Sequence, residues 1–398
     1  MISLLPRTLP PAAAPLSPAD LLRGLATHRS LDRLENDLKA FFGVRHLFLV
    51  SSGKAALVVI LQALRTLSSR REVLIPAYTC FSVPSAIVRA GLQVALCDID
   101  ADTLDFDPHQ IGSAITDATL CVVPTHLFGR PSDVGHVAAQ AASRGVFVVE
   151  DAAQAMGGRA PDGRWLGTQG DVGFFSLGRG KNITCGSGGI ILTQSDRIAA
   201  AIGAVHAGLQ SESAWDGLRT WLEALALLFF LHPTVYSIPA RLPFLRLGET
   251  RFDLDFPMKK MGGAKARLLS HWQTRLQRHN EARQRTAMQM TKCLAGFPVA
   301  VCNQPIPLLR LPLLLADQAA KEALCASPEA IRMGIRSMYP SAIHQIDALA
   351  ETFRGCDFSV ARSVAERLVT LPTHPYVTQR DLQVISDLVR TPPVAGDF

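Results

Sequence analysis

The chain has 398 residues, 48% hydrophobic and 19% charged, so it is long enough for two globular domains with full cores. Its net charge of +6 is scattered, and no basic stripe interleaves with aromatics, which excludes a typical nucleic-acid partner and favours anionic small molecules. Eight cysteines without a CxxC pair argue against a zinc or iron–sulfur site and suit a reducing cytoplasm.

Short apolar runs alternate with helical patterns from about residue 45 onward. The first fourteen residues lack a continuous apolar run, so no signal peptide is predicted. Six runs are predicted as buried strands: 47–50, 73–75, 93–97, 120–123, 146–149 and 190–193. Three helices are predicted between them: 55–67, 83–90 and 133–143.

This alternation predicts an α/β fold with a mostly parallel central sheet and helices on both faces. In such sheets ligands bind beyond the carboxyl ends of the strands. A long polar helix is predicted over residues 265–294, followed by mixed helical and strand signals. We therefore expect a large domain over residues 1–254 and a smaller α+β domain over residues 255–398.

The segment from Trp221 to Leu245 stands out because its first eleven residues are nearly all apolar and prolines follow. It is too short to span a bilayer, which needs about 20 apolar residues. Two interpretations remain open. The segment is either a buried helix or dimer contact, or an element that lies on a membrane surface close to Arg219, Arg241 and Arg246.

Two polar groups follow apolar runs in a pattern that indicates pyridoxal phosphate (PLP) chemistry. Asp151 ends the run 146–149, where a carboxylate would keep the pyridine nitrogen protonated; capping the next helix is the alternative role. Lys181 lies on a glycine-rich turn after Phe174 and Phe175 and is the candidate to bind the aldehyde and shuttle a proton. Ser176 adds a hydroxyl for the phosphate.

A phosphate cradle is predicted where the run 47–50 enters a helix. Gly53 and Lys54 lie at that helix start, where backbone amides bind phosphate. The pair is not a P-loop, because the earlier glycine and the following Ser or Thr are absent. The candidates to pack on the cofactor ring are Tyr78, Cys80, Phe81 and Gln154.

These motifs together resemble the DegT/DnrJ/StrS family of sugar aminotransferases, which are fold-type-I PLP enzymes. The resemblance extends through most of the chain. The matching stretches are 52–57 (SGKAAL), 75–79 (IPAYT), 94–100 (VALCDID), 124–129 (PTHLFG), 150–155 (EDAAQA), 175–181 (FSLGRGK) and 371–375 (LPTHP).

The resemblance implies site roles for the matching positions. Lys181 corresponds to the lysine that binds the cofactor and Asp151 to the partner of the pyridinium. Ser176, Gly53 and Lys54 correspond to phosphate contacts, and Gln154 to a neighbour of the ring.

The chain also departs from the family pattern in four places. Lys54 replaces a threonine, Cys80 replaces a stacking aromatic, and Ser187 replaces an acid. Near residues 258–261 there is no counterpart of the asparagine that the family lends across its dimer to the partner's phosphate.

From the resemblance we expect a homodimeric PLP-dependent aminotransferase in the cytoplasm. It would transfer an amino group from glutamate to a nucleotide-linked keto-sugar, in the biosynthesis of surface polysaccharides or secondary metabolites. One alternative acceptor is lipid-linked or otherwise apolar, with the enzyme peripheral to the inner membrane. Two further alternatives are a PLP-dependent sugar dehydratase, which Lys181 disfavours because those members carry a histidine, and a non-catalytic relic that acts as a regulator.

Overall fold

A computed structural model describes residues 6–242, 250–296 and 306–390, and a large twisted sheet organises the first half of the chain. The sheet has the order β3-β2-β4-β5-β6-β7-β1-β9-β8 in the described residues. Its strands are β1 (His46–Val50), β2 (Glu72–Pro76), β3 (Gln93–Cys97), β4 (Thr119–Val122), β5 (Phe147–Asp151), β6 (Val172–Ser176), β7 (Gly189–Thr193), β8 (Gln210–Ser211) and β9 (Lys259–Lys260).

The sheet is mostly parallel, as the sequence predicts. Strands β3, β2, β4, β5 and β6 run parallel to one another, and β7 is antiparallel to both β6 and β1. Asp151 pairs with Phe174, so the carboxyl ends of β5 and β6 meet at one edge. All six predicted strands are confirmed, with boundaries that differ by one or two residues.

Eleven helices of the described chain precede the C-terminal sheet and pack mainly around the large one. They are α1 (Pro18–Ala26), α2 (Leu31–Phe42), α3 (Gly53–Leu67), α4 (Ser82–Arg89), α5 (Ile111–Ala114), α6 (Val134–Ala142), α7 (Asp196–Ala207), α8 (Ala214–Phe230), α9 (Ser237–Ala240), α10 (Gly263–Leu268) and α11 (Trp272–Cys293). Helix α3 is apolar on nearly every side because the sheet, α4 and α7 all pack against it. The three predicted helices are confirmed.

The prediction of one helix over residues 265–294 is wrong. The chain forms α10 and α11 instead, with non-helical backbone angles at Leu269 and His271. The break lets Trp272 enter the core, where its ring lies 4.9 Å from Phe41 and is almost fully buried. Tertiary packing thus outweighs a helical pattern that is continuous in the sequence.

A second sheet lies in the C-terminal part, as expected for a smaller α+β unit. Its antiparallel strands have the order β10-β12-β11, at Arg310–Leu314, Leu368–Pro372 and Arg336–Ser337. The helices here are α12 (Gln318–Ala326), α13 (Pro328–Arg332), α14 (Asp347–Ala350), α15 (Ser359–Arg367) and α16 (Gln379–Arg390). The boundary between residues 254 and 255 remains a prediction; β9, just after it, still pairs with β1.

The segment before α1 is fastened to the C-terminal part of the chain. The Arg7 guanidinium binds the Asp381 carboxylate at 2.9 Å, across 374 positions of sequence. His374 Nε2 donates to the Pro10 carbonyl at 2.7 Å, and burial lowers the pKa of this histidine to about 3. Residues 7–10 therefore depend on contacts with the last helix and strand for their position.

The apolar segment from Trp221 to Leu231 lies in and just after α8, and the rest of the described chain does not bury that helix. Only Thr220 and Ala224 of α8 are buried. Pro243, Phe244, Leu245 and Arg246 lie outside the described residues. No helix of the described residues is long and apolar enough to cross a membrane.

Candidate active site

The carboxyl edge of the large sheet holds a cavity of about 200 Å³. Seven of the nine candidate site residues line it: Gly53, Lys54, Cys80, Asp151, Gln154, Ser176 and Lys181. The other lining residues are Ser52, Leu57, Ser82, Val83, Ala153 and Phe174. Residues from four separate motifs therefore meet in one small space.

Asp151 is the last residue of β5 and presents a buried carboxylate to the cavity. Burial raises its pKa, while a hydrogen bond from the Ala153 amide at 2.9 Å and the charge of Lys181 act in the opposite direction. The carboxylate thus lacks the water that usually stabilises its charge. A cationic group in the cavity would supply that stabilisation.

A buried hydrogen-bond network holds the strand end that carries Asp151. His126 Nδ1 accepts from the Ser132 amide at 2.9 Å, so the network assigns the proton to Nε2, which donates to Glu150 at 2.7 Å. Glu150 also accepts from the amides of Gly167 and Gln169. Burial alone would raise the pKa of Glu150, but these hydrogen bonds outweigh it and lower the pKa. The conspicuous His126 and Glu150 therefore support the site rather than line it.

Lys181 lies on the loop between β6 and β7, and a buried arginine fixes that loop. Arg283 of α11 donates to the carbonyls of Lys181 and Asn182, at 3.0 and 3.1 Å, and to Ala13 at 2.7 Å. The Thr184 hydroxyl closes the loop on the Leu177 carbonyl at 3.0 Å. The lysine side chain thus starts from a backbone that is held at several points.

The environment of Lys181 favours a neutral amine. Desolvation lowers its pKa, and the charge of Arg310 acts in the same direction, while Asp151 and Cys80 act against them. A lysine whose pKa is lowered carries a larger fraction of free amine near neutral pH, which is the nucleophilic form.

The start of α3 lies directly against Ser176. A Cβ added at Gly53 would lie 2.8 Å from the Ser176 Cβ and 3.0 Å from its Oγ, so only glycine permits this approach. Ser52 caps the helix by accepting from the Ala55 amide at 3.1 Å. The first-turn amides of α3 and the Ser176 hydroxyl therefore form one surface suited to a phosphate.

Lys54 lines the same cavity, but its ammonium group turns toward another segment. Its Nζ lies 3.6 Å from the Asp253 carboxylate and 4.2 Å from the centre of the Phe256 ring. Lys54 would therefore contribute to phosphate binding through its backbone position at the start of α3, and not through its ammonium group.

Tyr78 and Phe81 are the two candidates that the structure does not place on the cavity lining. Tyr78 is fully buried, and its hydroxyl donates to the Met338 carbonyl. Its ring packs edge-on against Tyr339, with centroids 5.6 Å apart. Phe81 is likewise buried behind the cavity, which leaves Cys80, whose Sγ lies 2.9 Å from the Ser82 hydroxyl, on the lining.

Sequence reasoning missed Tyr339, which supports the cavity from the C-terminal part. Gln154 Nε2 donates to the Tyr339 hydroxyl at 3.1 Å, and Gln154 Oε1 accepts from the Phe128 amide at 3.3 Å. The Tyr339 ring stacks on Phe128 at 6.1 Å, and burial raises its pKa well above 10. Its backbone is in the left-handed region, at φ +48°. Only the following Pro340 marked this position as a turn, and a turn signal does not reveal a distant partner.

Arg310 is a second residue that the sequence did not indicate. It begins β10, is buried, and donates to the Thr370 hydroxyl at 3.3 Å. Burial lowers its pKa to about 10. Within residues 6–242, 250–296 and 306–390, no carboxylate forms an ion pair with it. The amide beside it, of Leu309, donates to the Phe128 carbonyl at 2.7 Å and ties β10 to the site.

The model of the DegT/DnrJ/EryC1/StrS aminotransferase family matches residues 21–390. The chain belongs to this family. Among solved structures, the Helicobacter pylori aminotransferase PseC, involved in the biosynthesis of pseudoaminic acid, is 16% identical with a TM-score of 0.76, covering 97% of this chain and 98% of that one. A putative sugar aminotransferase from Streptococcus pneumoniae, Spr1654 in its PMP form, is 18% identical with a TM-score of 0.75, covering 96% of each chain. These likenesses establish the fold of type I.

One curated relative of the chain, from Geobacillus stearothermophilus, is named a pleiotropic regulatory protein. It is 35% identical over 168 residues. The match covers 42% of this chain and 45% of that protein, so the chain spans under half the length of the relative it matches. The name of this relative therefore describes that protein and does not establish the function of this chain.

Members of the family depend on PLP, and the residues at this cavity fit that cofactor. A buried carboxylate lies at one side, a helix start and a serine at another, and a lysine with a lowered pKa lines the same space. Asp151 would hold the pyridine nitrogen, Ser176 and the start of α3 the phosphate, and Lys181 the aldehyde. When bound, PLP supplies an electron sink for the bonds at the substrate's amino carbon.

Proposed function

We propose that this protein is a PLP-dependent aminotransferase of the cytoplasm that transfers an amino group from glutamate to a nucleotide-linked keto-sugar. The reaction would serve surface-polysaccharide or secondary-metabolite biosynthesis. The observation that carries the proposal is the meeting of Lys181 and Asp151 in one cavity with the start of α3. These groups supply an amine, an acid and an anion site, which the chemistry requires together.

Lys181 has two tasks in this proposal. Its lowered pKa makes a larger fraction of the amine neutral than in an ordinary lysine, and the neutral amine is the form that would bind the aldehyde. When it is not bound to the cofactor, the same neutral nitrogen would accept a proton from the substrate carbon and return it as an acid. The loop fixed by Arg283 keeps the nitrogen in reach for both.

Asp151 and Gln154 orient and polarise rather than transfer. The Asp151 carboxylate would hold a proton on the ring nitrogen of the cofactor, because burial removes the water that otherwise stabilises its charge. Gln154 is held by Phe128 and Tyr339, so its side chain has a single arrangement in the cavity wall.

The charges around the cavity fit an anionic donor and acceptor. Arg310 acts on Lys181 electrostatically and has no carboxylate partner in the described chain, so we assign it the attraction of a glutamate carboxylate. The net charge of +6 favours a phosphate-bearing acceptor such as a nucleotide sugar. The family resemblance further supports a homodimer.

The test is the bound-cofactor absorption of the purified protein with and without glutamate. Wild type should show a cofactor band that glutamate bleaches, and a nucleotide-linked keto-sugar should restore the band and yield an aminated product. Lys181→Ala should lose turnover by at least about 10⁴-fold, since it removes the binding amine and the proton shuttle. Lys39→Ala, which changes a surface pair with Glu35, should act like wild type.

Two results would contradict the proposal. The first is a colourless wild type that added PLP cannot reconstitute. The second is full turnover by Lys181→Ala. A deoxygenated product in place of the aminated one would identify a dehydratase.

A lipid-linked or otherwise apolar acceptor is the second candidate. The exposed apolar face of α8 favours it, because Glu223 of that helix lies 3.6 Å from Arg179 on the Lys181 loop. Under this alternative glutamate still bleaches the cofactor band, but only a lipid-linked keto-sugar restores it.

A regulator without turnover is the third candidate, suggested by the name of the Geobacillus relative. It predicts tight cofactor binding and no bleaching by any amino donor. The presence of Lys181, Asp151 and Ser176 in one cavity favours catalysis instead.

A further inference from the structure

Exposed apolar side chains concentrate on one surface of the described chain. Ten of its thirteen exposed large apolar residues belong to α1, α8 or the turn through α9. Trp215 is 72% exposed and Phe229 is 60% exposed. The ten, which with their exposed neighbours we call the α8 face, are Leu22, Leu25, Trp215, Leu218, Leu222, Leu225, Phe229, Phe230, Ile238 and Leu242.

The two main helices of the α8 face lie side by side. A Cβ added at Gly24 of α1 would lie 2.9 Å from the Trp221 ring of α8, so the helices touch there. Five of the six exposed apolar residues of α8, from Trp215 to Phe229, recur at intervals of three and four, which places them on one side of the helix; Phe230 follows at its end. At roughly 100 Å² for each largely exposed side chain, the face far exceeds the few hundred Å² common on monomers.

The exposed charges of the α8 face are all positive. Within α1, α8 and residues 237–242, the exposed charged residues are Arg23, Arg219 and Arg241. The acidic residues of α8 are only partly exposed and are already paired: Asp216 with Lys259 at 2.8 Å, and Glu223 with Arg219 at 3.1 Å.

Exposed apolar side chains together with positive charge favour a membrane surface over a second copy of the chain as the partner of the α8 face. A second copy related by a two-fold axis would bury the same arginines from both copies in one interface, without an exposed acid of this face to pair with them. Anionic lipid headgroups instead complement the arginines, while the leucines and aromatics enter the acyl boundary. The 17 residues of α8 make a helix that lies along a surface rather than crossing it.

We propose that the α8 face docks this protein flat onto an anionic membrane surface. The proposal concerns location and is independent of the chemistry at Lys181. The docked surface would lie next to the catalytic loop, because Glu223 of α8 contacts both Arg179 and Gly186 of that loop. An acceptor held in the same membrane would thus be delivered beside the cavity.

Co-sedimentation with lipid vesicles tests the proposal on the purified, full-length protein. We expect wild type to pellet with vesicles of phosphatidylethanolamine and phosphatidylglycerol, and to stay in solution with phosphatidylcholine vesicles. Leu222→Glu/Phe229→Glu should weaken binding at least tenfold, because charges replace the inserted side chains. Met288→Glu is the matched control, since Met288 is an exposed apolar residue outside the face.

A second variant separates charge recognition from folding. Arg23→Gln/Arg241→Gln should weaken binding to anionic vesicles about thirtyfold, because two cations near an anionic surface are lost, and should keep the wild-type melting temperature. Wild type that stays in solution with anionic vesicles overturns the proposal, and so does binding unaffected by the arginine substitutions. If Leu222→Glu/Phe229→Glu instead dissociates a wild-type dimer in analytical ultracentrifugation, the face is a contact between copies and the proposal is wrong.

Discussion

The large-sheet side of the cavity and its C-terminal side are held by different kinds of contact. On the large-sheet side the hydrogen bonds at the helix start and at the end of β5 are local: Ser52 with Ala55, and Asp151 with Ala153. The Lys181 loop is the exception, because Arg283 fixes it from 102 positions away. On the C-terminal side the hydrogen bonds join distant positions. Gln154 and Tyr339 lie 185 positions apart, and the bond from Tyr78 to the Met338 carbonyl spans 260.

The difference separates residues that act on a cofactor from residues that keep the cavity closed behind it. Strand ends and a helix start place the first group, and each works with its own short motif. The second group, with Tyr339 stacked on Phe128, joins the two halves of the molecule. Substitutions on the two sides should therefore differ in both size and kind of effect.

Among the substitutions that compare the two sides of the cavity, Asp151→Asn should have the largest effect. The amide cannot hold a proton on the ring nitrogen, so we expect kcat/KM to fall about 10²–10³-fold with the cofactor still bound. Steady-state kinetics and the absorption of the bound cofactor measure this. The control is Asp105→Asn, a buried carboxylate outside the cavity that binds Ser132. If both substitutions shift the cofactor spectrum alike, Asp151 has no special role.

Gly53→Ala should have an intermediate effect confined to the phosphate end. The new Cβ would lie 2.8 Å from Ser176, so α3 and Ser176 must separate. We expect the Kd of PLP to rise about tenfold, or about 1.4 kcal/mol, in equilibrium titration. Gly203→Ala is the control, because its Cβ would meet Phe48 at an ordinary 3.8 Å and should raise helix stability slightly. Equal PLP affinity in Gly53→Ala and wild type would refute the cradle.

The smallest effect should come from the C-terminal side, in a pair of tyrosine substitutions. Tyr339→Phe removes the acceptor of Gln154, and we expect about a fivefold loss in kcat/KM, from one hydrogen bond of about 1 kcal/mol. Tyr78→Phe leaves the Met338 carbonyl unpaired and should cost about 1–3 kcal/mol of stability without changing PLP affinity. Denaturant unfolding and PLP titration of both variants distinguish these outcomes. If Tyr78→Phe alone weakened PLP binding, Tyr78 would be a cofactor-binding residue, contrary to its position in this structure.

The same contrast explains what the sequence could predict. Lys181, Asp151, Ser176 and Gly53 follow apolar strands in short motifs, and parallel strands bring such ends to one edge. The strands were predictable because their apolar runs are local in the sequence. The family was predictable because its motifs are equally short.

Other features depend on contacts that no local pattern encodes. Tyr339 and Arg310 reach the site through pairing across the two halves of the molecule, and Tyr78 is withdrawn from it by Met338. The break before Trp272 arises because its ring fits beside Phe41, a residue more than 200 positions earlier. The exposure of α8 likewise depends on what the rest of the chain leaves uncovered.

The contact between Arg7 and Asp381 has a consequence for synthesis on the ribosome. The residues around Arg7 are made long before their partners: Asp381 on α16 follows Arg7 by 374 positions, and His374 follows Pro10 by 364. At about 5–20 residues per second, this segment stays undocked for tens of seconds. The large sheet can form during that time, whereas the fastening of residues 7–10 is completed only after translation has passed residue 381.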